Sequence, residues 1–208
     1  MNSHKYTYWF FEKALSDRFC HDLIKYGNEK KEKLALTGDK THSQKLTAKE
    51  VDDLKLKRNS NIVWMGERWI YNQIQPFINL ANHSAGWNYE WDWSEECQFT
   101  KYKLNQFYNW HKDSFQEPFS NKKDKMYDGK IRKLSVTCLL SDPKDYEGGD
   151  LEFQPRDQED PNIILSTNHI RKRGTIIVFP SYTWHRVIPV TKGTRYSLVI
   201  WNLGKPYK

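Results

Sequence analysis

The 208-residue chain is poor in cysteine and has no long apolar run. Cys20, Cys97 and Cys138 are widely spaced and odd in number. That argues against a disulfide scaffold or a cysteine zinc site and favours a reducing, cytoplasmic setting. No stretch approaches the ~18 apolar residues that a transmembrane helix requires, so no membrane partner is expected. The opening MNSHKYTYWFFEK lacks the apolar core and small-residue cleavage site of a secretory signal. Internal repeats, low-complexity segments and helix-turn-helix, finger or RNP patterns are also absent. The net charge of +7 would attract polyanions. Without such a motif it reads as a Lys-rich solvated surface, and nucleic acid is not an expected partner. Aromatic residues make up 15% of the chain, which excludes a disordered tail and supplies a sizeable core.

The chain reads as one domain over 1–208. Residues 1–60 look like support structure, 61–98 add a helix and strand, and 99–201 form the core. Tyr6–Phe11 suits a strand, and Ser16 caps an expected helix to about Tyr26 with Phe19, Cys20, Leu23 and Ile24 inward. Asn28–Arg58 is a long polar excursion, helical around Thr47–Leu56. Ile62–Met65 is a short strand. Arg68–Asn82 has helical spacing, with Pro76 expected to kink or divide it. The alternation of Trp87, Tyr89, Trp91 and Trp93 predicts a half-buried strand, and Phe99–Trp110 a further extended segment. Asp113–Lys130 is a polar loop, and Ile131–Leu140 suits a central strand. Pro143–Gly149 and Asp157–Pro161 read as turns. Leu151–Phe153, Ile163–Ser166, Thr175–Phe179 and Arg195–Trp201 are short strands. Many short strands after one helical block predict a mainly β sandwich or barrel with helices outside.

Three strings carry chemistry. In Tyr108-Asn109-Trp110-His111-Lys112-Asp113, His111 and Asp113 lie two apart, so extended backbone turns both to one side. In Phe179-Pro180-Ser181-Tyr182-Thr183-Trp184-His185, a second histidine follows an apolar strand and a proline turn. Two histidines and one carboxylate are a ligand set that leaves positions open on iron. Ordinary hydrogen-bonded histidines near a surface are the competing reading. Arg195 and Ser197 share a strand face, and a guanidinium beside a hydroxyl suits a carboxylate anchor. A surface salt bridge is the plainer alternative for Arg195.

With these strings in place, the chain resembles the Fe(II)- and 2-oxoglutarate-dependent dioxygenases. It is similar to their prolyl 4-hydroxylase-like branch and looks closest to the bacterial and viral PKHD-type hydroxylases. The likeness runs from about Ile62 to Trp201. It takes in Tyr102, His111, Asp113, the strand from Arg132 to Leu140, and Tyr146-Glu147-Gly148-Gly149-Asp150-Leu151. Gly174–Phe179 leading to His185, and Gly193-Thr194-Arg195-Tyr196-Ser197, complete it. Two positions depart from many prolyl hydroxylases: Arg195 stands where they carry Lys, and Leu139 where some relatives place a tyrosine.

The resemblance implies a double-stranded β-helix (jelly roll, cupin-like) with supporting N-terminal helices. It implies Fe(II) held by His111, Asp113 and His185. The co-substrate 2-oxoglutarate would be held by Arg195 with Ser197 and Tyr102, and O2 would be consumed, with ascorbate as an accessory reductant. The implied reaction hydroxylates an unactivated C–H as 2-oxoglutarate becomes succinate and CO2. Its substrate would be a prolyl or other residue of a peptide or protein. Its setting would be the cytoplasm of a bacterium or a virus-infected cell. Tyr108, Trp110, Arg132, Trp184 and Trp201 are candidate substrate contacts, and the Asp113–Lys130 loop and the Asn28–Arg58 excursion are candidate covers. The alternative substrates are a free amino acid or small metabolite, then a nucleic acid to be demethylated or hydroxylated. A non-catalytic jelly roll and a non-iron hydrolase are the rival classes. Oligomeric state and ascorbate requirement stay open.

Overall fold

A computed structural model describes residues 6–36, 47–115, 117–155 and 162–207. The helices are α1 (Asp17–Glu29), α2 (Ala48–Lys57) and α3 (Arg68–Ser84). The strands are β1 (Trp9–Phe11), β2 (Lys33–Leu34), β3 (Arg58–Asn59), β4 (Asn61–Met65), β5 (Trp93–Ser94), β6 (Cys97–Tyr102), β7 (Phe107–His111) and β8 (Ile131–Leu139). They continue with β9 (Tyr146–Gly148), β10 (Leu151–Gln154), β11 (Leu165–Ser166), β12 (Ile176–Pro180), β13 (Trp184–Val187), β14 (Val190–Gly193) and β15 (Arg195–Gly204).

The major sheet runs β1-β12-β8-β15-β6-β4-β2, with β5 beside β15. A second sheet runs β11-β10-β13-β7-β3, and β14 pairs with β9. Every pairing is antiparallel. The result is a jelly roll with N-terminal helices, as expected. Alternation along β8 divides its labour. Leu134, Val136 and Cys138 enter a core shared with Cys20 and Leu23 of α1 and with Ile70, Ile74 and Ile78 of α3. Leu139 faces the other way, into a second core with Phe153 and Val187.

The helices follow from capping and burial. Ser16 Oγ accepts from the Phe19 N–H at 3.1 Å. Thr47 and Glu50 form a reciprocal capping box at the start of α2. α3 continues undivided through Pro76. An interior proline costs ~3 kcal/mol, but Ile70, Ile74 and Ile78 are fully buried, each contributing roughly 1.5–3 kcal/mol.

Several expectations need correction. Trp87–Asp92 is irregular rather than a strand, and only Trp93–Ser94 pairs. The Asn82 side chain accepts from the Tyr89 N–H and donates to the Tyr89 carbonyl, both at 2.9 Å, and Asn88 takes φ 51°. Those local bonds displace ladder bonds. Phe99–Trp110 is two strands, because a turn at Lys103–Gln106 with Asn105 at φ 60° reverses the chain. The Pro143–Gly149 turn contains β9. The expected turn at Asp157–Pro161 and residues 37–46 of the polar excursion lie outside the described residues.

Gly27 is buried in α1, where a Cβ would lie 2.6–2.8 Å from three ring carbons of Phe99. Alanine favours a helix over glycine by ~1 kcal/mol, while overpacking a core costs ~1–3 kcal/mol. The Phe99 ring is buried and stacked on Tyr196 at 5.6 Å, so the clash dominates. Gly27→Ala should therefore destabilise the protein, by up to about 2 kcal/mol in urea unfolding; an unchanged or raised midpoint would show that the ring gives way freely.

Candidate metal centre and its cavity

The site begins with β7 pairing to β13, which sets His185 directly opposite His111. Between the pairs His185–His111 and Val187–Tyr108, β7 carries one residue more than β13. This bulge changes the facing of side chains. Tyr108 and His111, three apart, come to one face and stack with ring centroids 3.4 Å apart. Asp113 follows the strand. Its N–H and that of Ser114 both donate to the Ser181 carbonyl at 2.9 Å, drawing the carboxylate inward.

His111, Asp113 and His185 each present one ligand atom, all within 4.8 Å of one another. His111 Nε2 lies 3.6 Å from Asp113 Oδ1, and His185 Nε2 lies 3.5 Å from Asp113 Oδ2. His111 Nδ1 meets the Asn109 carbonyl at 2.7 Å, and His185 Nδ1 meets the Thr183 carbonyl at 2.9 Å. A carbonyl can only accept, so each Nδ1 carries the hydrogen and donates it. In the neutral ring each Nε2 is then a bare lone pair aimed at the carboxylate. Two lone pairs and one anion converging in a buried site are mutually repulsive until a cation lies among them. The donor set therefore fits a metal ion.

Charge follows the same plan. Burial pushes His111 well below the ordinary imidazole value, and neighbouring His185 adds to this against the pull of Asp113. Burial alone would raise Asp113, but His185, His111, Arg132 and the Ser135 hydroxyl outweigh it and hold the carboxyl at about 2. Ser135 Oγ donates to Asp113 Oδ2 at 2.7 Å and stands 2.9 Å from Ser181 Oγ. Because its one hydrogen goes to the carboxylate, Ser135 accepts from Ser181.

A cavity opens beside the three ligand atoms, which help to line it. Arg195 lines it and is 2% exposed. Its Nη1 donates to Ser197 Oγ at 3.1 Å, while Nη2 is buried without a partner among the described residues. The guanidinium lies 5.4 Å from the Tyr102 ring centroid. Gly149, at φ 66°, leaves space for this side chain: a Cβ there would stand 2.8 Å from Arg195 Cδ. Trp201 also lines the cavity, with Nε1 buried and unpartnered among the described residues. Both unmet groups are donors, so a fitting occupant brings acceptors.

The structure thus brings Tyr102, Tyr108, His111, Asp113, His185, Arg195, Ser197 and Trp201 to one cavity. Trp110, Trp184 and Arg132 are not on its wall. Trp110 lies under Arg186 at 4.6 Å, and Trp184 lies 5.5 Å from Lys112 Nζ. Arg132 binds Glu95 through Nε and Nη2 at 2.5 and 2.7 Å and covers Trp201 at 4.0 Å. Its Nη1 also reaches the Asp113 carbonyl at 3.4 Å. An extra residue, Lys133, in β8 between the Leu134 and Arg132 pairings turns Arg132 to this face. Sequence reasoning missed Arg58 and Gln98 as wall residues. Gln98 lay unremarked in a strand, and Arg58 ends a Lys-rich stretch in which nothing marks one cation from the next.

Among known protein families, the "2OG-Fe(II) oxygenase superfamily" matches residues 97–202, just over half of the chain. A PKHD-type hydroxylase from Synechococcus sp. is 38% identical over 94 residues, covering 45% of this chain and 35% of that protein. One from Gloeothece citriformis is 46% identical over 68 residues, covering 33% and 28%. The matches therefore span well under half the length of these curated relatives. Among solved structures, a Pseudomonas putida prolyl-4-hydroxylase superposes with a TM-score of 0.64 at 18% identity, covering 98% of this chain and 95% of that one. The viral collagen prolyl hydroxylase of Paramecium bursaria Chlorella virus-1 gives 0.58 at 21%, covering 96% and 97%. At those identities the likeness is one of fold.

Two outcomes follow from this geometry. Ser135→Ala should weaken Fe(II) or Mn(II) affinity by about 10–100-fold, the usual cost of losing a ligand's supporting bond; calorimetric titration giving an unchanged affinity would detach Ser135 from the site. The metal-free protein should lose stability in acid. His111 is depressed in the folded state, so its contribution is complete above the ordinary imidazole value of 6.5 and declines as pH falls below it. Asp113 adds a second loss below the ordinary carboxyl value of 3.8, continuing toward about 2. Urea midpoints measured from pH 8 downward should show the first decline, and His111→Gln should flatten it.

Proposed function

The chain belongs to the 2OG-Fe(II) oxygenase superfamily, and from that premise we propose that it is an Fe(II)- and 2-oxoglutarate-dependent dioxygenase. It hydroxylates an unactivated C–H bond, with a prolyl or other residue of a peptide or protein as the leading substrate. One observation carries this reading: three metal-ligand side chains from two distant segments converge beside a buried guanidinium with one free donor. The names of the relatives and fold neighbours, PKHD-type and prolyl hydroxylases, support the same choice.

His111, Asp113 and His185 would hold Fe(II). When bound, the iron supplies the redox chemistry that couples O2 and 2-oxoglutarate to C–H hydroxylation, with succinate and CO2 as co-products. Arg195 takes the distal carboxylate of 2-oxoglutarate. Ser197 accepts from Nη1 and so fixes the guanidinium, leaving Nη2 directed to the ligand. Tyr102 packs beside Arg195 and adds a hydroxyl at that end. Tyr108 and Trp201 wall the cavity and bound the space beside the metal ligands. No general acid or base is required of the chain. The Arg132–Glu95 pair holds the Asp113 carbonyl and Trp201 in place, so Arg132 positions the site from outside the cavity. We read residues 1–208 as a single catalytic domain. Three free, buried cysteines support a reducing cytoplasmic setting, and no helix among the described residues is long and apolar enough to cross a membrane.

The test is succinate formation from 2-oxoglutarate under Fe(II), air and ascorbate, with a product heavier by one oxygen. His111→Ala should abolish it. Arg195→Ala should raise the KM for 2-oxoglutarate by about 10–100-fold, the loss of a charge-assisted bond worth roughly 1.5–3 kcal/mol. Full turnover in the first variant, or an unchanged KM in the second, would refute the role assigned to that residue. Omitting ascorbate from the same assay measures the need for it.

A further inference from the structure

Arg58 is a buried cation that the metal and 2-oxoglutarate assignments leave unused. It is 4% exposed and lines the same cavity as His111 and Arg195. Pairing of β3 with β7 sets it opposite Tyr108. Its guanidinium lies 4.5 Å from the centroid of the Tyr108 ring, whose other neighbour is the His111 imidazole. An arginine beside an aromatic ring keeps N–H donors for a further hydrogen-bonding partner. Nε donates to Ser60 Oγ at 3.0 Å. No carboxylate pairs with Arg58 among the described residues. Buried arginines are ordinarily ion-paired, because an uncompensated charge is costly to desolvate.

The charges in the cavity show what is missing. Asp113 is the one carboxylate on the described wall, and it faces the two imidazoles. A divalent metal, Asp113, Arg195 and dianionic 2-oxoglutarate together sum to zero. The charge of Arg58 is then surplus, and it stands one ring away from a metal ligand.

We propose that Arg58 binds a carboxylate of the substrate, carried either by the residue that is hydroxylated or by its neighbour in a peptide. This rests on the dioxygenase reading and narrows its substrate class. Two sources share the chemistry: the α-carboxylate of a free or C-terminal amino acid, and the side-chain carboxylate of an Asp or Glu beside the target in a peptide.

Binding distinguishes them. The protein loaded with Fe(II) and 2-oxoglutarate under anaerobic conditions is titrated calorimetrically with the common L-amino acids and their amides. It is also titrated with the blocked dipeptides N-acetyl-Pro-Glu-amide and N-acetyl-Pro-Gln-amide. We expect at least one acid to bind about tenfold or more tightly than its amide partner, in keeping with a charge-assisted hydrogen bond. Preference within the amino-acid set identifies an α-carboxylate; preference within the dipeptide pair identifies a side chain. Arg58→Gln should erase the preference, and Arg58→Lys, which keeps the charge, should restore part of it.

Absence of any acid-over-amide preference in the wild type overturns the proposal. So does a preference that survives in Arg58→Gln, or an Arg58→Gln effect larger on 2-oxoglutarate affinity than on the acids. Succinate formation by the wild type is read separately. Succinate without discrimination removes Arg58 alone; discrimination without succinate upholds the carboxylate site and removes the dioxygenase reading.

Discussion

Antiparallel pairing between β7 and β13 is the constraint on which the site depends. It places His185 opposite His111 although the two are remote in sequence. The same backbone fixes their chemistry, because the Asn109 and Thr183 carbonyls take the Nδ1 hydrogens. A side chain with the right identity but another tautomer would turn an N–H toward the centre and could not serve a cation there. Fold and ligand chemistry are thus joined through two local hydrogen bonds, each made within two residues of its histidine.

The third arm is held by longer connections. Asp113 lies beyond the end of β7, where no ladder bond would hold it. The Ser181 carbonyl takes its N–H, and Ser135 on β8 takes its carboxylate. Ser181 N–H in turn donates to the Lys133 carbonyl. The chain from β8 through Ser181 to Asp113 therefore crosses between the sheets and locks their separation at the metal centre. Burial of so many polar groups is tolerated because each is paired, or faces the cavity.

Much of this was legible in the residues, and the exceptions share a cause. Period-two alternation found β8, short runs bounded by glycine and proline found β12 and β15, and the cap at Ser16 found α1, because those elements follow regular backbone. The H-x-D string, His185 and Arg195 were visible as types at spacings. What alternation could not show is the facing of Tyr108 beside His111, or of Arg132 beside Ser135. The members of each pair lie three apart in sequence, and each shares a face because the ladder carries an extra residue there. The strand expected at Trp87–Trp93 failed for the converse reason: its alternation was real, but Asn82 captures the backbone of Tyr89 before a neighbour can. Arg58 left no signal, since its importance comes from burial, which a cation in a Lys-rich stretch does not announce.

The polar inventory of the cavity sets limits on what it can hold. Arg195 and Trp201 contribute unmet N–H donors, and Arg58 adds a second guanidinium. Apart from the three metal-ligand side chains, Ser197 on the wall is already engaged by Arg195, and Thr100 behind it by Gln98. An apolar ligand would leave those donors stranded at about 1–3 kcal/mol each. A cationic ligand would meet two guanidiniums in a medium where like charges are poorly screened. Anions rich in acceptors escape both penalties. The wall therefore selects against amines and hydrocarbons before any fine fit is considered, and its two arginines, one beside Tyr108 and one beside Tyr102, can divide two carboxylate ligands between them.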